Sequence, residues 1–160
     1  MNEGCFYFIK NEYFEDFKDP YLMTNKEKVG NEIHNRPCFY AFFDEKTKLF
    51  WMIPFSSKVE KFKKIYNDKI AKYKTCDTIM FGDVLGHEKA FLLQNMCPII
   101  DKYISNEYKD ANDIPVRVEE IFEKELISKA KKVLILYRKG IKLLFPNVIS
   151  IEKKLFEMNK

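Results

Sequence analysis

Residues 38–58 of the chain, CFYAFFDEKTKLFWMIPFSSK, contain its strongest structural signal. Two apolar, aromatic-rich runs at 38–43 and 49–53 are separated by five polar residues at 44–48. Runs of this kind, joined by a short polar loop, are typical of a β-hairpin. Pro54 has no backbone N–H to donate, so we expect the second strand to end there.

A helix is predicted immediately after this hairpin. Ser57 and Glu60 have the spacing of a capping box, with Ser57 as the N-cap. Apolar residues then recur three or four positions apart, as on one face of a helix: Val59, Phe62, Tyr66, Ile70 and Tyr73. The opposite face is basic, because residues 58–74 contain seven lysines and only two acidic residues.

Further elements are predicted on both sides of this region. Residues 5–9, 78–81 and 90–94 are rich in aromatic and aliphatic side chains, as strands are, and glycines between the last two indicate turns. Residues 116–139 form a long amphipathic helical pattern with acidic residues near its start and basic residues near its end. Gly140 follows directly, as expected at the end of a helix.

The remaining segments complete the expected architecture. An apolar repeat after Pro146 predicts a terminal helix, whereas residues 11–35 and 101–112 are polar and irregular, with at most a short helical turn in each. Short strands with interposed helices predict an α+β fold in one domain that spans residues 1–160. A small, strongly bent antiparallel β-barrel with peripheral helices would satisfy this pattern.

The amino-acid composition indicates which partners, cofactors and cellular compartment to expect. A net charge of +4 mildly favours acidic partners. The four cysteines form no CxxC pair and there are only two histidines, so we expect buried reduced thiols and no metal or other cofactor. Neither a secretion signal nor an apolar run near the roughly 20 residues of a membrane span is present. We therefore expect a cytoplasmic protein with no membrane partner.

The junction between the second strand and the first long helix has the composition of a phosphate site. A helix N-terminus offers unpaired backbone N–H groups to an anion, and Ser56, Ser57 and Lys58 add two hydroxyls and a positive charge. Four further lysines would let neighbouring phosphates follow the helix: Lys61, Lys63, Lys64 and Lys72.

Such a site could cleave RNA without a metal, because the reaction needs alignment of the ribose 2′-OH with the phosphorus, charge stabilisation and two proton transfers. His34, close to Arg36, is the better candidate for an active-site histidine, and His87 could contact RNA from a hairpin tip. Arg138 and Lys139 are a second candidate RNA-binding surface. Equally, Ser-Ser-Lys is an ordinary helix cap, lysine-rich faces are often only solvated, and most loop histidines are inert.

Three motifs resemble those of the toxins of bacterial type III toxin–antitoxin pairs, a family with ToxN, CptN, TenpN and AbiQ branches. They are Arg36-Pro37 at the start of an aromatic strand, residues 53–58 (IPFSSK) and residues 94–99 (QNMCPI), in the family's order. The lysine-rich helix lies between the last two. The resemblance covers residues 36–99 and is greatest to the CptN and AbiQ branches.

The resemblance implies a compact barrel similar to that of the toxins Kid and MazF, with added helices. It also implies a metal-independent endoribonuclease that cleaves cellular or phage RNA and leaves 2′,3′-cyclic phosphate and 5′-OH ends. Its partner would be a small antitoxin RNA of pseudoknotted repeats. The toxin would process this RNA and then remain bound to it in a closed protein–RNA assembly.

The resemblance also implies site residues. Ser56 and Ser57 correspond to the family's Ser/Thr-Ser pair, and Lys58 corresponds to its lysine, with Lys61 as the alternative. A second lysine, which the ToxN branch has after the strand-opening proline, is Cys38 here. The general base is therefore open, and Arg36 or His34 could supply the missing charge.

Two other classes of protein fit the same residues. One is a non-catalytic RNA-binding module that uses the same basic helix face. The other is a protein-interaction domain whose lysines only keep it hydrated. Cleavage of RNA in excess EDTA separates the enzyme from the first, and the absence of nucleic acid from natively purified protein would favour the second.

Overall fold

The predicted hairpin lies at the centre of a sheet in the structure, a computed structural model that describes all 160 residues. β4 (Cys38–Asp44) pairs antiparallel with β5 (Leu49–Ser56). The prediction that Pro54 ends the second strand is wrong, because β5 continues to Ser56. On its other edge β5 pairs with one strand at residues 50–52 and with another at 55–56. Pro54 lies in the gap between these two ladders, where a missing N–H is tolerated.

The other strands extend this hairpin into a larger sheet. They are β1 (Phe6–Ile9), β2 (Lys26–Val29), β3 (Glu32–Asn35), β6 (Ile79–Val84), β7 (His87–Leu92), β8 (Cys97–Ile99) and β9 (Ile104–Glu107). Seven strands form one antiparallel sheet in the order β6-β7-β5-β4-β1-β9, with β8 also paired with β5, while β2 and β3 form a separate hairpin. The end strands β6 and β9 are not paired with each other, so barrel closure stays a prediction.

Four α-helices accompany the sheet, and the α+β class is thereby confirmed. They are α1 (Asn11–Asp16), α2 (Val59–Tyr73), α3 (Glu120–Arg138) and α4 (Val148–Met158). α3 begins later than predicted, because Val116 donates its N–H to Tyr108 O at 3.1 Å and so stays in extended chain. Gly140, with φ of +96°, follows α3 as predicted. No helix combines the length and apolar character needed to cross a membrane.

Both faces of the central strands are buried, and this explains their unbroken apolar runs. Phe39 and Ala41 of β4 belong to a core that includes α3, whereas Cys38 and Tyr40 belong to a second core that includes residues of α1 and α4. A third, smaller core around Phe62 joins α2 to β6 and β7. All four cysteines are buried and unpaired, in agreement with the prediction of buried thiols.

Two segments are more regular than predicted. Within residues 11–35 the short helix is present, but the β2–β3 hairpin was not predicted, nor was β9 within residues 101–112. The two predicted strands after α2 are present with shifted bounds, and they are joined by a tight turn at Leu85 and Gly86, both with positive φ. Positive φ at both central residues matches the twist of a two-residue hairpin.

Candidate active-site cleft

A cleft of about 370 Å³ lies where the end of β5, the start of β7 and the β2–β3 hairpin meet. Its walls are partly apolar, with Phe55, Val84 and Tyr108 among them. Besides the Tyr108 phenol, six ionisable or hydroxyl side chains line it: Glu27, His34, Arg36, Ser57, His87 and Lys89. The cleft therefore brings together both histidines of the chain, two basic side chains, one carboxylate and one aliphatic hydroxyl.

Strand periodicity explains why β7 contributes two of these residues. Alternate side chains of a strand point to the same face, so His87 and Lys89 share the face that lines the cleft. Glu88 lies on the other face, where its Oε1 forms an ion pair with Lys63 Nζ of α2 at 2.8 Å. His87 is the first residue of β7, directly after the predicted hairpin tip.

The β2–β3 hairpin contributes Glu27 and His34 as direct cross-strand partners. Such partners lie on the same face with Cβ atoms about 5 Å apart, so the hairpin holds a carboxylate and an imidazole side by side over the end of β5. Glu27 is buried, whereas His34 is exposed and its Nε2 lies 3.2 Å from a carboxylate oxygen of Glu32.

Glu27 is the centre of a hydrogen-bond network beneath the cleft. Its Oε2 accepts from Ser56 Oγ at 2.7 Å and from Arg36 Nη2 at 3.0 Å, and its Oε1 accepts from the backbone N–H of Ser57 at 2.8 Å. Burial acts to raise the pKa of Glu27, but these hydrogen bonds and the charge of Arg36 outweigh it and lower the pKa below its ordinary value. Glu27 is therefore a fixed anion that orients three groups.

Arg36 keeps unsatisfied hydrogen-bonding capacity within this network. The residue is only 8% exposed, and its buried Nε has no partner within the chain. A buried cation normally requires full pairing, yet the only carboxylate paired with Arg36 also accepts from two serines. Arg36 thus lines the cleft as one half of a neutral pair with Glu27, and Lys89, which has no carboxylate partner, supplies the uncompensated positive charge that suits an anionic ligand.

Ser57 is not the helix cap that the sequence predicts. Lys58, not Ser57, is the N-cap of α2, and no side chain caps the helix, so the capping-box prediction is wrong. The backbone of Ser57 is held by Glu27 and its Oγ accepts from Lys89 Nζ at 2.6 Å. These nonlocal contacts place Ser57 before the helix. Because Oγ accepts from Lys89, its own proton can be donated either to Glu27, whose pKa a side-chain hydrogen bond from Ser57 helps to lower, or to a ligand.

The two other residues predicted with Ser57 lie outside the cleft. Ser56 is 1% exposed, and its Oγ accepts from the Lys58 N–H at 3.1 Å while it donates to Glu27. Lys58 is exposed and does not line the cleft. Lys89, which was not predicted, is the lysine that contacts the serine hydroxyl.

The predicted RNA-binding residues on α2 fall into two groups. Lys61, Lys64 and Lys72 are exposed, as expected for an outer basic face. Lys63 is half-buried and paired with Glu88, and the hydrogen bond with that carboxylate raises the pKa of Lys63. Lys63 therefore connects α2 to β7 and does not extend a continuous outer strip.

The two RNA-binding residues predicted at the end of α3 also differ, because one is ion-paired and the other is not. Arg138 Nη2 lies 3.3 Å from an oxygen of Asp44 and 2.6 Å from one of Glu152. This arginine joins α3 to β4 and α4, and its charge is compensated. Lys139 is exposed, with no ion pair to an acidic side chain. Neither residue lines the cleft.

No family model matches this chain, and no curated protein is significantly similar to it. Within the chain itself, no three or more histidine, cysteine, aspartate or glutamate side chains are grouped so that they could hold a metal ion.

Sequence reasoning missed Glu27 and Lys89. A signal for Glu27 was present, since Gly30-Asn31 separates two four-residue segments in the manner of a tight hairpin turn. Lys89 could have been found from the spacing of His87 and Lys89, which places them on one face of a strand.

Proposed function

We propose that this protein is an endoribonuclease, and that it acts as the toxin of a type III toxin–antitoxin pair. The observation that carries the proposal is the cleft that holds both histidines beside the Ser57–Lys89 hydrogen bond and Arg36. Acid–base groups and cations around one cavity are what transesterification of a phosphodiester requires.

In the proposed reaction the ribose 2′-oxygen forms a bond to the adjacent phosphorus, and the bond from phosphorus to the 5′-oxygen breaks. A base must accept the proton of the 2′-OH, and an acid must donate a proton to the leaving 5′-oxygen. The products are a 2′,3′-cyclic phosphate and a 5′-OH. No water and no redox partner takes part, so the atoms of the RNA balance without a cofactor.

The cleft residues suit these tasks. We assign the two proton transfers to His34 and His87, because histidine is the commonest general acid–base group in enzymes. Arg36 and Lys89 would stabilise the charge that develops on the phosphorane oxygens, and Ser57 would donate a hydrogen bond to one of them. Glu27 contacts no substrate in this scheme and serves as the positioning residue for Ser57 and Arg36.

The toxin assignment rests on the motif resemblance at residues 36–99. Under it, the sheet is the bent barrel of a Kid- or MazF-like fold, and the chain acts in the cytoplasm. A repeated, pseudoknotted antitoxin RNA would be processed in the cleft and then remain bound in a closed protein–RNA assembly. The exposed lysines of α2 supply a surface on which such an RNA could be held by its phosphates.

The decisive test is cleavage of RNA in excess EDTA. We expect purified protein to cut single-stranded RNA and to leave a 2′,3′-cyclic phosphate, detected by mass spectrometry of the fragments. The His34→Ala/His87→Ala double variant is the control for a contaminating nuclease and should be inactive. RNA binding without cleavage would instead support a non-catalytic RNA-binding module. Cleavage that requires a divalent ion would contradict the proposed mechanism.

A second test concerns the exposed lysines of α2. Because phosphate contacts release counterions, the slope of log affinity against log salt falls by about 0.7 to 0.9 for each lost contact. The triple variant Lys61→Gln, Lys64→Gln, Lys72→Gln should therefore flatten the slope for antitoxin RNA by about 2, with little change in thermal stability.

A matched control removes three exposed lysines elsewhere. Lys46, Lys142 and Lys153 are also exposed, and their change to glutamine alters the net charge by the same amount. If both triple variants reduce the slope equally, the effect is one of net charge only. An unchanged slope in the α2 variant would exclude this helix from the RNA interface.

A further inference from the structure

A second cavity, of about 490 Å³, lies at the open end of the β2–β3 hairpin, beside the cleft. It is formed where β1, α1 and β9 meet the ends of β2 and β3. Its lining is mainly polar and includes Asn11, Asn25, Asn35 and Asn106 together with Lys10 and Lys26. We refer to this cavity as the asparagine groove.

The groove and the cleft are neighbours that share one lining residue. Asn35 lines both cavities. Phe8 lines the groove and Tyr108 lines the cleft, and their rings are in T-shaped contact with centroids 5.6 Å apart. Adjacent cavities of this kind are within reach of neighbouring units of one polymer.

Two of the amides in the groove are hydrogen-bonded to each other, and two are exposed to solvent. Asn25 Nδ2 donates to Asn11 Oδ1 at 2.6 Å and to Ile9 O at 3.1 Å, so this pair forms a fixed wall. Asn35 and Asn106 are exposed. An asparagine side chain presents an acceptor and a donor side by side, which matches the edge of a nucleobase. The half-buried Phe8 ring adds an aromatic surface, which bases contact favourably.

We propose that the asparagine groove binds the nucleobase next to the scissile phosphate and so determines the sequence at which RNA is cut. This inference rests on the proposed endoribonuclease function, because the cleft defines where the phosphate lies. A groove for a second phosphate would be lined by cations, whereas this one has four amides, a serine and the carboxylate of Glu12 beside its two lysines. Its volume is that of a small-molecule site.

The inference predicts a base preference that depends on Asn106. A randomised pool of short 2′-O-methyl RNA, which lacks the nucleophile and cannot be cleaved, is bound to the protein and the bound fraction is sequenced. We expect one base to be enriched at one position. In Asn106→Ala this enrichment should fall by about ten-fold or more, since a bidentate base contact contributes that much discrimination. Asn106→Asp, which keeps the shape but loses the donor, should change which base is enriched.

The control is Asn159→Ala, an exposed asparagine at the end of α4, outside both cavities. It should leave the base preference as in the wild type. A wild-type protein that binds the pool without positional preference, or a preference that survives both Asn106 variants, overturns the inference. If binding is selective and depends on Asn106 but the protein never cleaves RNA, the asparagine groove binds a base and the proposed endoribonuclease activity is wrong.

Discussion

Ser57→Ala is expected to lower the rate of RNA cleavage by roughly 10²- to 10³-fold, the usual cost of losing one preorganised donor to the transition state. The hydroxyl lies at the cleft, where its oxygen accepts from Lys89 at 2.6 Å, and in the proposed reaction it donates its proton to a phosphorane oxygen. Because Lys58 is the N-cap of α2, the substitution removes no helix cap. The thermal unfolding midpoint should therefore change little, and single-turnover kinetics with a defined RNA measures the loss in rate.

The neighbouring serine supplies a matched control. Ser56→Ala leaves buried Glu27 and the Lys58 N–H each without one partner, so it should lower the free energy of unfolding by about 1 to 3 kcal/mol. Lys89→Met should also reduce cleavage, and the double variant should lose less than the product of the two single losses, because part of each effect is the contact that the two residues share. If Ser57→Ala cleaves as fast as the wild type, Ser57 has no part in the reaction.

The central fold could be predicted because its signal is local and strong. The strands β4 and β5 are apolar at almost every position, since one set of side chains faces α3 and the other faces the core around α1 and α4. Burial on both faces leaves an unbroken apolar run that a sequence displays directly. The long helix α3 shows its buried stripe in the same direct way.

Element boundaries were less predictable because tertiary contacts determine them. Pro54 would end an isolated strand, but it falls between two ladders of β5. Ser57 would cap an isolated helix, but Glu27 and Lys89 hold it in the cleft. Val116 is the predicted start of α3, but its N–H bonds to Tyr108 instead. In each case a residue distant in the chain competes with the local preference.

The candidate site was only partly predictable for a related reason. Ser57, His34 and His87 were predicted from local patterns and Arg36 from the motif resemblance, and the structure brings these four residues to one cleft. Glu27 lies in a short, polar hairpin whose pattern carries no apolar alternation, and its burial depends on packing over the end of β5. The ion pair with Arg36 joins β2 to the start of β4, and local sequence patterns do not reveal such pairings.

Glu27→Gln is expected to lower the free energy of unfolding by about 3 kcal/mol and the unfolding midpoint by on the order of 10 °C. The change preserves shape but leaves the buried Arg36 guanidinium without its counter-charge, and breaking a buried pair from one side has this cost. Activity should fall as well, because Ser57 and Arg36 lose the group that orients them. The double variant Glu27→Gln/Arg36→Met should recover part of the stability, since no unpaired charge remains.

The pH dependence of the stability of Glu27→Gln, compared with that of the wild type, tests whether Glu27 is charged in the folded protein. The pKa of Glu27 is lowered in the folded chain by its hydrogen bonds and by Arg36, against the effect of burial. A group with a lowered folded-state pKa stabilises the fold above the ordinary glutamate pKa of about 4.3, and this contribution is lost as pH falls through the lowered value. The stability difference between wild type and Glu27→Gln should therefore be constant from neutral pH down to about 5 and should shrink below it, because a protonated carboxyl resembles the amide.

Chemical denaturation at several pH values measures this difference. If the difference in free energy of unfolding stays constant down to the acid limit of folding, Glu27 does not act as a buried anion. It would then not be the residue that positions Ser57 and Arg36 in the cleft.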